Sequence, residues 1–211
     1  ESGCRAAVRG GYTMVNLMAN TNPPCSNMKI VDYVLKKIKK LGLVDAHQCA
    51  TITNNFDGRD ISHLDRLGEE VKIISEDGKD VMDGKVMVKA MMKARNLGKI
   101  VMCHSEEESL SDINMRLAEN IMTWRNIAFS EFTGCPVHIA HVSTRESMRY
   151  IIDAKNRGAN ITCEVTPHHI VLSGNNYRVN PPIRDKEDVD YLVDSIKKGW
   201  VDAISTDHAP H

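Results

Sequence analysis

Residues Trp200 to His211 read W-V-D-A-I-S-T-D-H-A-P-H. Val201 to Ser205 alternates small and apolar residues, the pattern of a short buried strand. Where that strand ends, the chain delivers Asp207, His208 and His211 together. A carboxylate beside imidazoles at a strand end can ligate a metal, accept a proton or hold an anion. A capped strand end with surface histidines is the plainer reading of the same residues, and the rest of the chain decides between them.

Working back from this stretch, the same unit recurs. Strand-like runs cover Tyr12 to Met18, Val44 to Thr51, Val71 to Ser75, Lys99 to Cys103, Val137 to Val142 and Asn160 to Val165, which with Val201 to Ser205 makes seven. Amphipathic helical stretches alternate with them at Met28 to Leu41, Lys85 to Leu97, Met115 to Phe132, Arg145 to Arg157 and Lys186 to Lys198. Glycines 42, 98, 134, 158 and 199 stand just before the following strand, as helix C-caps do. The irregular link from Thr53 to Glu70 is expected to hold a short helix near His63 to Leu67.

Strands joined by helices imply a parallel α/β sheet, because parallel neighbours need a crossover. An open doubly wound sheet and a closed eight-stranded barrel both satisfy that rule. No G-x-G-x-x-G or Walker sequence supports nucleotide binding on an open sheet. Seven strands ending in a chemically rich eighth-strand motif favour a TIM-like (β/α)8 barrel without its first strand. The expectation is one partial barrel domain over residues 1–211, cut at both ends.

In such a barrel the chemistry sits at the C-terminal ends of the strands. There the sequence offers Asn20, Asp77, His104, His141 with Ser143 and Thr144, Thr166-Pro167-His168-His169, and Asp207. Each has a structural alternative: Asn20 as a turn residue beside Pro23 and Pro24, Asp77 as a turn residue in E-D-G, His104 or His141 as a hydrogen-bonded core histidine. Successive strand residues face opposite ways, so one of His138 and His141, and one of His168 and His169, is expected to be structural. His47 and His63 read as structural or surface residues and Cys103 and Cys163 as core, while Glu106, Glu107 and Glu108 offer themselves as ligands but read more simply as a solvated acidic loop. The recurrence of two histidines and two aspartates at strand ends tips the balance. Nitrogen and oxygen ligands without thiolate suit zinc or a similar divalent ion in a hydrolytic site.

Composition narrows the class further. The 27 basic and 28 acidic residues are well mixed, for a net charge of -1, so no nucleic-acid-binding face is announced. Six dispersed cysteines without a C-x-x-C pair argue against a disulfide framework and for a reducing cytoplasm. No apolar run is long enough for a membrane span.

The strings M-A-N-T-N-P, I-S-E-D-G, C-H-S-E-E, H-I-A-H-V-S-T-R-E-S, C-E-V-T-P-H-H, V-N-P-P-I-R and S-T-D-H-A-P-H, in this order, closely resemble the class I dihydroorotases of the amidohydrolase superfamily. The resemblance implies a TIM-like barrel that interconverts N-carbamoyl-L-aspartate and L-dihydroorotate in pyrimidine biosynthesis, with two zinc ions per site. It implies that Asp77 bridges the metals, that His104 and His141 ligate the second one, and that Asp207 is both ligand and catalytic acid/base. Asn20, Asn180 and His211 match residues that hold the substrate. Lys72 lies near the place where hydantoinase-like relatives carry a carboxylated lysine, and Asp77 is the class I alternative.

The family's H-x-H-x-R motif is absent, as is the segment after the last strand, so the 211 residues alone are expected to be inactive. Ala19 replaces the usual Pro of M-P-N-T, a change expected to touch only the loop. Other cyclic amidases (hydantoinase, dihydropyrimidinase, allantoinase) compete for the assignment, as does a non-catalytic scaffold of aspartate transcarbamoylase. The resemblance also leaves room for a homodimer and for aspartate transcarbamoylase as a partner.

Overall fold

A computed structural model describes residues 1–209, which form two compact units, Glu1–Val101 and a second that begins at Met102. His211, expected to contact substrate, lies outside the described residues.

The first unit begins with a helix absent from the sequence expectation, α1 (Ser2–Arg9), followed by β1 (Met14–Leu17) and α2 (Met28–Leu41). Asn27 caps α2 by accepting from the Ile30 N–H, and Gly42 ends it with φ of 61°, a conformation that a side chain would disfavour. The expected strand Val44 to Thr51 is two: β2 (Asp45–Gln48) pairs in parallel with β1, and β3 (Ala50–Thr51) pairs in parallel with β4 (Ile73–Ser75). The break falls at Cys49, whose N–H still donates to Leu17 O at 2.9 Å, while Thr51 N–H turns to Cys25 O. One run of sequence thus serves two neighbours. The short helix expected near His63 is a 3₁₀ turn, Ser62–Arg66. Helix α3 (Gly84–Asn96), capped by Asp83, leads to β5 (Ile100–Cys103), where the unit ends. Ile38, Val44 and Cys4 bury one apolar cluster against Val15, Leu17 and Ala46, and Ile52, Leu64, Ile74, Met87 and Met91 are fully buried.

In the second unit, α4 (Met115–Thr133) is capped by Asn114 and ended by Gly134 at φ 69°. It is followed by β6 (Val137–Ile139), α5 (Arg145–Asn156), β7 (Ile161–Val165), the short α6 (Pro167–Val171), α7 (Lys186–Lys197) and β8 (Ala203–Ile204). β7 pairs in parallel with β6 and with β8, and Ala140 N–H reaches back to Cys103 O at 3.1 Å. The last strand is shorter and less covered than its sequence suggests: Ile204 is 49% exposed, β7 being its one paired neighbour among the described residues. Met122, Met148, Ile151, Val165 and Leu192 form the packed interior of this unit, with α4 against α5 and α5 against α7. Arg116, in the first turn of α4, grips both oxygens of Asp188 at 2.7 and 2.6 Å and Glu146 at 2.6 Å, locking three helix starts with a planar fork that suits a carboxylate.

All six cysteines are buried. Burial pushes the Cys163 thiol up to about 12, which fits a packing role and not a nucleophile. Among the described residues no helix is long and apolar enough to cross a membrane.

Candidate active site

In the first unit the chain turns sharply after β4, and Asp77 sits in that turn. Its Oδ2 accepts from Asn20 Nδ2 at 2.5 Å, so two expected site residues from the ends of two strands meet. The neighbour Glu76 is what fixes the turn. Its carboxylate is buried and accepts from the N–H groups of Ile52 (3.1 Å) and Thr53 (3.0 Å) and from the Thr53 hydroxyl. Burial pushes the Glu76 carboxyl up and these donors pull it back. Lys72 lies at the other end of the strand, before Ile73, with its side chain exposed. Its backbone N–H donates to His47 Nε2 at 2.9 Å, and His47 Nδ1 lies 2.6 Å from Asn16 Oδ1, so His47 is structural as expected. His63 is structural too, buried with Nε2 2.9 Å from Thr51 O.

The second unit assembles the imidazoles. His104 directly follows β5. His141 lies two residues past the end of β6, outside the strand expected to contain it, with φ of 34°. Positive φ in a non-glycine residue stores strain that the surroundings must hold, and Asp207 shares this feature at φ 46°. His104 Nδ1 and His141 Nε2 face each other at 2.8 Å, with the rings nearly perpendicular at 79°. Both are 6% exposed. Burial, then the facing His104, pushes His141 well below the ordinary imidazole range, so its neutral form is favoured.

Glu106 departs from the solvated loop expected of it. Its Oε2 lies 2.8 Å from His104 Nε2 and accepts from Asn180 Nδ2, also at 2.8 Å, while Oε1 accepts from the Ser111 hydroxyl at 2.6 Å. The His104 hydrogen bond, against the cost of burial and with help from Ser111 and Asn180, holds this carboxyl down at about 2. An acidic triplet hides such a residue in sequence; the usable signal was its place two positions after a strand-end histidine. Because a carboxylate only accepts, the His104 Nε2 that faces Glu106 carries a proton.

His168 and His169 lie on α6 and not on a strand, so strand alternation is not what separates them. His169 is structural, buried between Thr166 Oγ1 at 2.7 Å and Pro181 O at 2.9 Å. Burial pushes it down to about 4, with the Pro181 carbonyl opposing. His168 is lowered by burial, and the Asp207 charge pulls the other way. His138, half-buried, contacts Thr162 Oγ1 at 2.8 Å and Glu164 at 3.2 Å.

Two buried imidazole nitrogens converging on one point, one of them backed by a carboxylate, fit two ligands of a single divalent ion. Among the described residues no group of three or more His, Cys, Asp or Glu side chains is assembled to hold a metal, so the fit rests on this pair.

Strand–helix units with polar residues at the strand ends define part of a TIM-like barrel of the amidohydrolase type. Solved structures agree on the fold. L-hydantoinase (dihydropyrimidinase) from Arthrobacter aurescens matches 99% of this chain and 53% of its own, at TM-score 0.81 and 19% identity. D-hydantoinase (dihydropyrimidinase) from Thermus sp. matches 100% of this chain and 53% of its own, at TM-score 0.80 and 25% identity. The chain belongs to the dihydro-orotase-like family, whose sequence profile matches residues 1–121. It is 52% identical to the dihydroorotase of Clostridium botulinum (strain Eklund 17B / Type B) and 40% identical to that of Aquifex aeolicus (strain VF5), in both cases over 100% of this chain. It spans about half the length of these relatives, 54% and 56% respectively.

Proposed function

We propose that the protein carrying this chain is a metal-dependent dihydroorotase, catalysing the reversible conversion of L-dihydroorotate and N-carbamoyl-L-aspartate for pyrimidine biosynthesis. The observation that supports it most is the buried His104–His141 pair, 2.8 Å apart and joined through Glu106 to Asn180. On this reading, the pair that we assign to the metal is linked to Asn180, the residue that we assign to the substrate. Family membership and the two dihydroorotase relatives support the choice of ring.

His104 and His141 would hold a divalent ion, which we take to be one of two zincs, with Asp77 and Asp207 assigned as further ligands from the sequence motifs. Bound there, the metal supplies Lewis acidity toward the ring amide carbonyl and a more acidic water. Asp207 takes the proton from the attacking water and returns it to the ring nitrogen as the carbon–nitrogen bond breaks. In the synthetic direction the same carboxylate takes the proton from that nitrogen as the ring closes and water leaves. Asn20, Asn180 and His211 hold the substrate. The proposed setting is the cytoplasm, with a homodimer or aspartate transcarbamoylase as protein partner.

The test is a substrate panel on the full-length protein, with metal content measured in parallel. Ring opening of dihydroorotate in preference to hydantoin or dihydrouracil, lost in Asp207→Asn with metal retained, supports the assignment. Preference for either other ring replaces the substrate. Metal-free, inactive protein points to a scaffold.

A further inference from the structure

We propose that Glu106 is a positioning residue that joins His104 to Asn180 and so turns Asn180 Oδ1 toward an N–H donor of the substrate. The inference rests on the dihydroorotase reading above and adds a residue and a recognition rule to it.

Glu106 Oε2 receives both the His104 ring at 2.8 Å and the Asn180 amide at 2.8 Å. A carboxylate can only accept, so the Asn180 end facing it must be Nδ2, and Oδ1 is the end presented to a ligand. Asn180 is exposed, so that end is accessible, whereas the adjoining Pro181 is buried and held by His169 at 2.9 Å. Ser111 fixes the other carboxylate oxygen at 2.6 Å, which limits rotation of Glu106. An accepting Oδ1 selects a substrate with an N–H at that point, as a cyclic ureide has, and disfavours one alkylated there. The same oxygen holds His104 in the tautomer whose Nδ1 can ligate, so one carboxylate aligns a metal ligand and a substrate contact.

The experiment compares full-length wild type with Glu106→Ala and Glu106→Gln, measuring kcat, KM for dihydroorotate and bound metal. Glutamine can put its oxygen where Oε2 lies and give its amide to Ser111. Glu106→Ala is expected to raise KM about tenfold or more, with a smaller fall in kcat and weaker metal retention, and Glu106→Gln to recover most of the KM effect. An unchanged KM in Glu106→Ala, or equal damage in both variants, overturns the inference while leaving the dihydroorotase reading intact. Wild type that binds metal but fails to open dihydroorotate overturns both.

Discussion

Arg184 Nη2 lies 3.1 Å from Glu119 Oε2, an ion pair whose side chains are only 10% and 6% exposed. The pair does not stand alone. Glu119 Oε1 accepts from the N–H groups of Ser143 (3.0 Å) and Thr144 (3.1 Å), and its other oxygen accepts from the Ser143 hydroxyl. Arg184 Nε in turn donates to Ser143 Oγ at 2.9 Å. One buried carboxylate on α4 therefore ties down both the loop that follows His141 and the loop that carries Asn180.

Removing the arginine should leave that carboxylate short of its counter-charge. Arg184→Met is expected to destabilise by about 3 kcal/mol, in the range found when one partner of a buried pair is lost. The double change Arg184→Met with Glu119→Gln should cost less than the sum of the two single changes. Urea unfolding of the four proteins checks this, and additive losses would show that the pair is not coupled.

His169 should make stability sensitive to mild acid. Its folded pKa is lowered to about 4 by burial, below its ordinary 6.5, so the unfolded chain takes up the proton first. The contribution is complete above about pH 6.5, declines as pH falls toward about 4, and is flat below that. In His169→Phe this part of the pH dependence should be missing from melting curves. The same variant frees the Pro181 carbonyl and should raise KM for substrate through the displaced Asn180.

Lys72 should be an ordinary lysine. It precedes β4 and is exposed, whereas Asp77 follows the strand and meets Asn20. Intact-mass measurement of the full-length protein should show no carbamate, and Lys72→Met should retain its metal. A mass increase of one carbon dioxide that disappears in the variant would reverse the choice of Asp77.

The barrel-type alternation was legible because glycine-capped amphipathic helices and short apolar runs carry it locally. Asn20 and Asp77 were each legible as residues of the first turns after strands, whereas their contact, across 57 residues of sequence, was not. Glu106 was not, because an acidic triplet has the composition of a solvated loop, and its role depends on Asn180, 74 residues further on. Helix α6 was missed because Pro167 reads as a break, although proline is favoured at a helix start and Thr166 accepts from His169 N–H there. The split at Cys49 left no local mark, since it arises from which neighbour each half pairs with.

In the function proposed above, the site opens the dihydroorotate ring with the help of a divalent metal held by His104 and His141. The most direct measurement is dihydroorotate hydrolysis by the full-length protein before and after chelation and after return of zinc, in wild type and in His104→Ala/His141→Ala. Wild-type turnover should vanish with the metal and return with it, and the double variant should bind less metal and stay inactive. Turnover that survives complete metal removal, or a double variant of full activity, would rule out a metal held by His104 and His141 as the source of the activity.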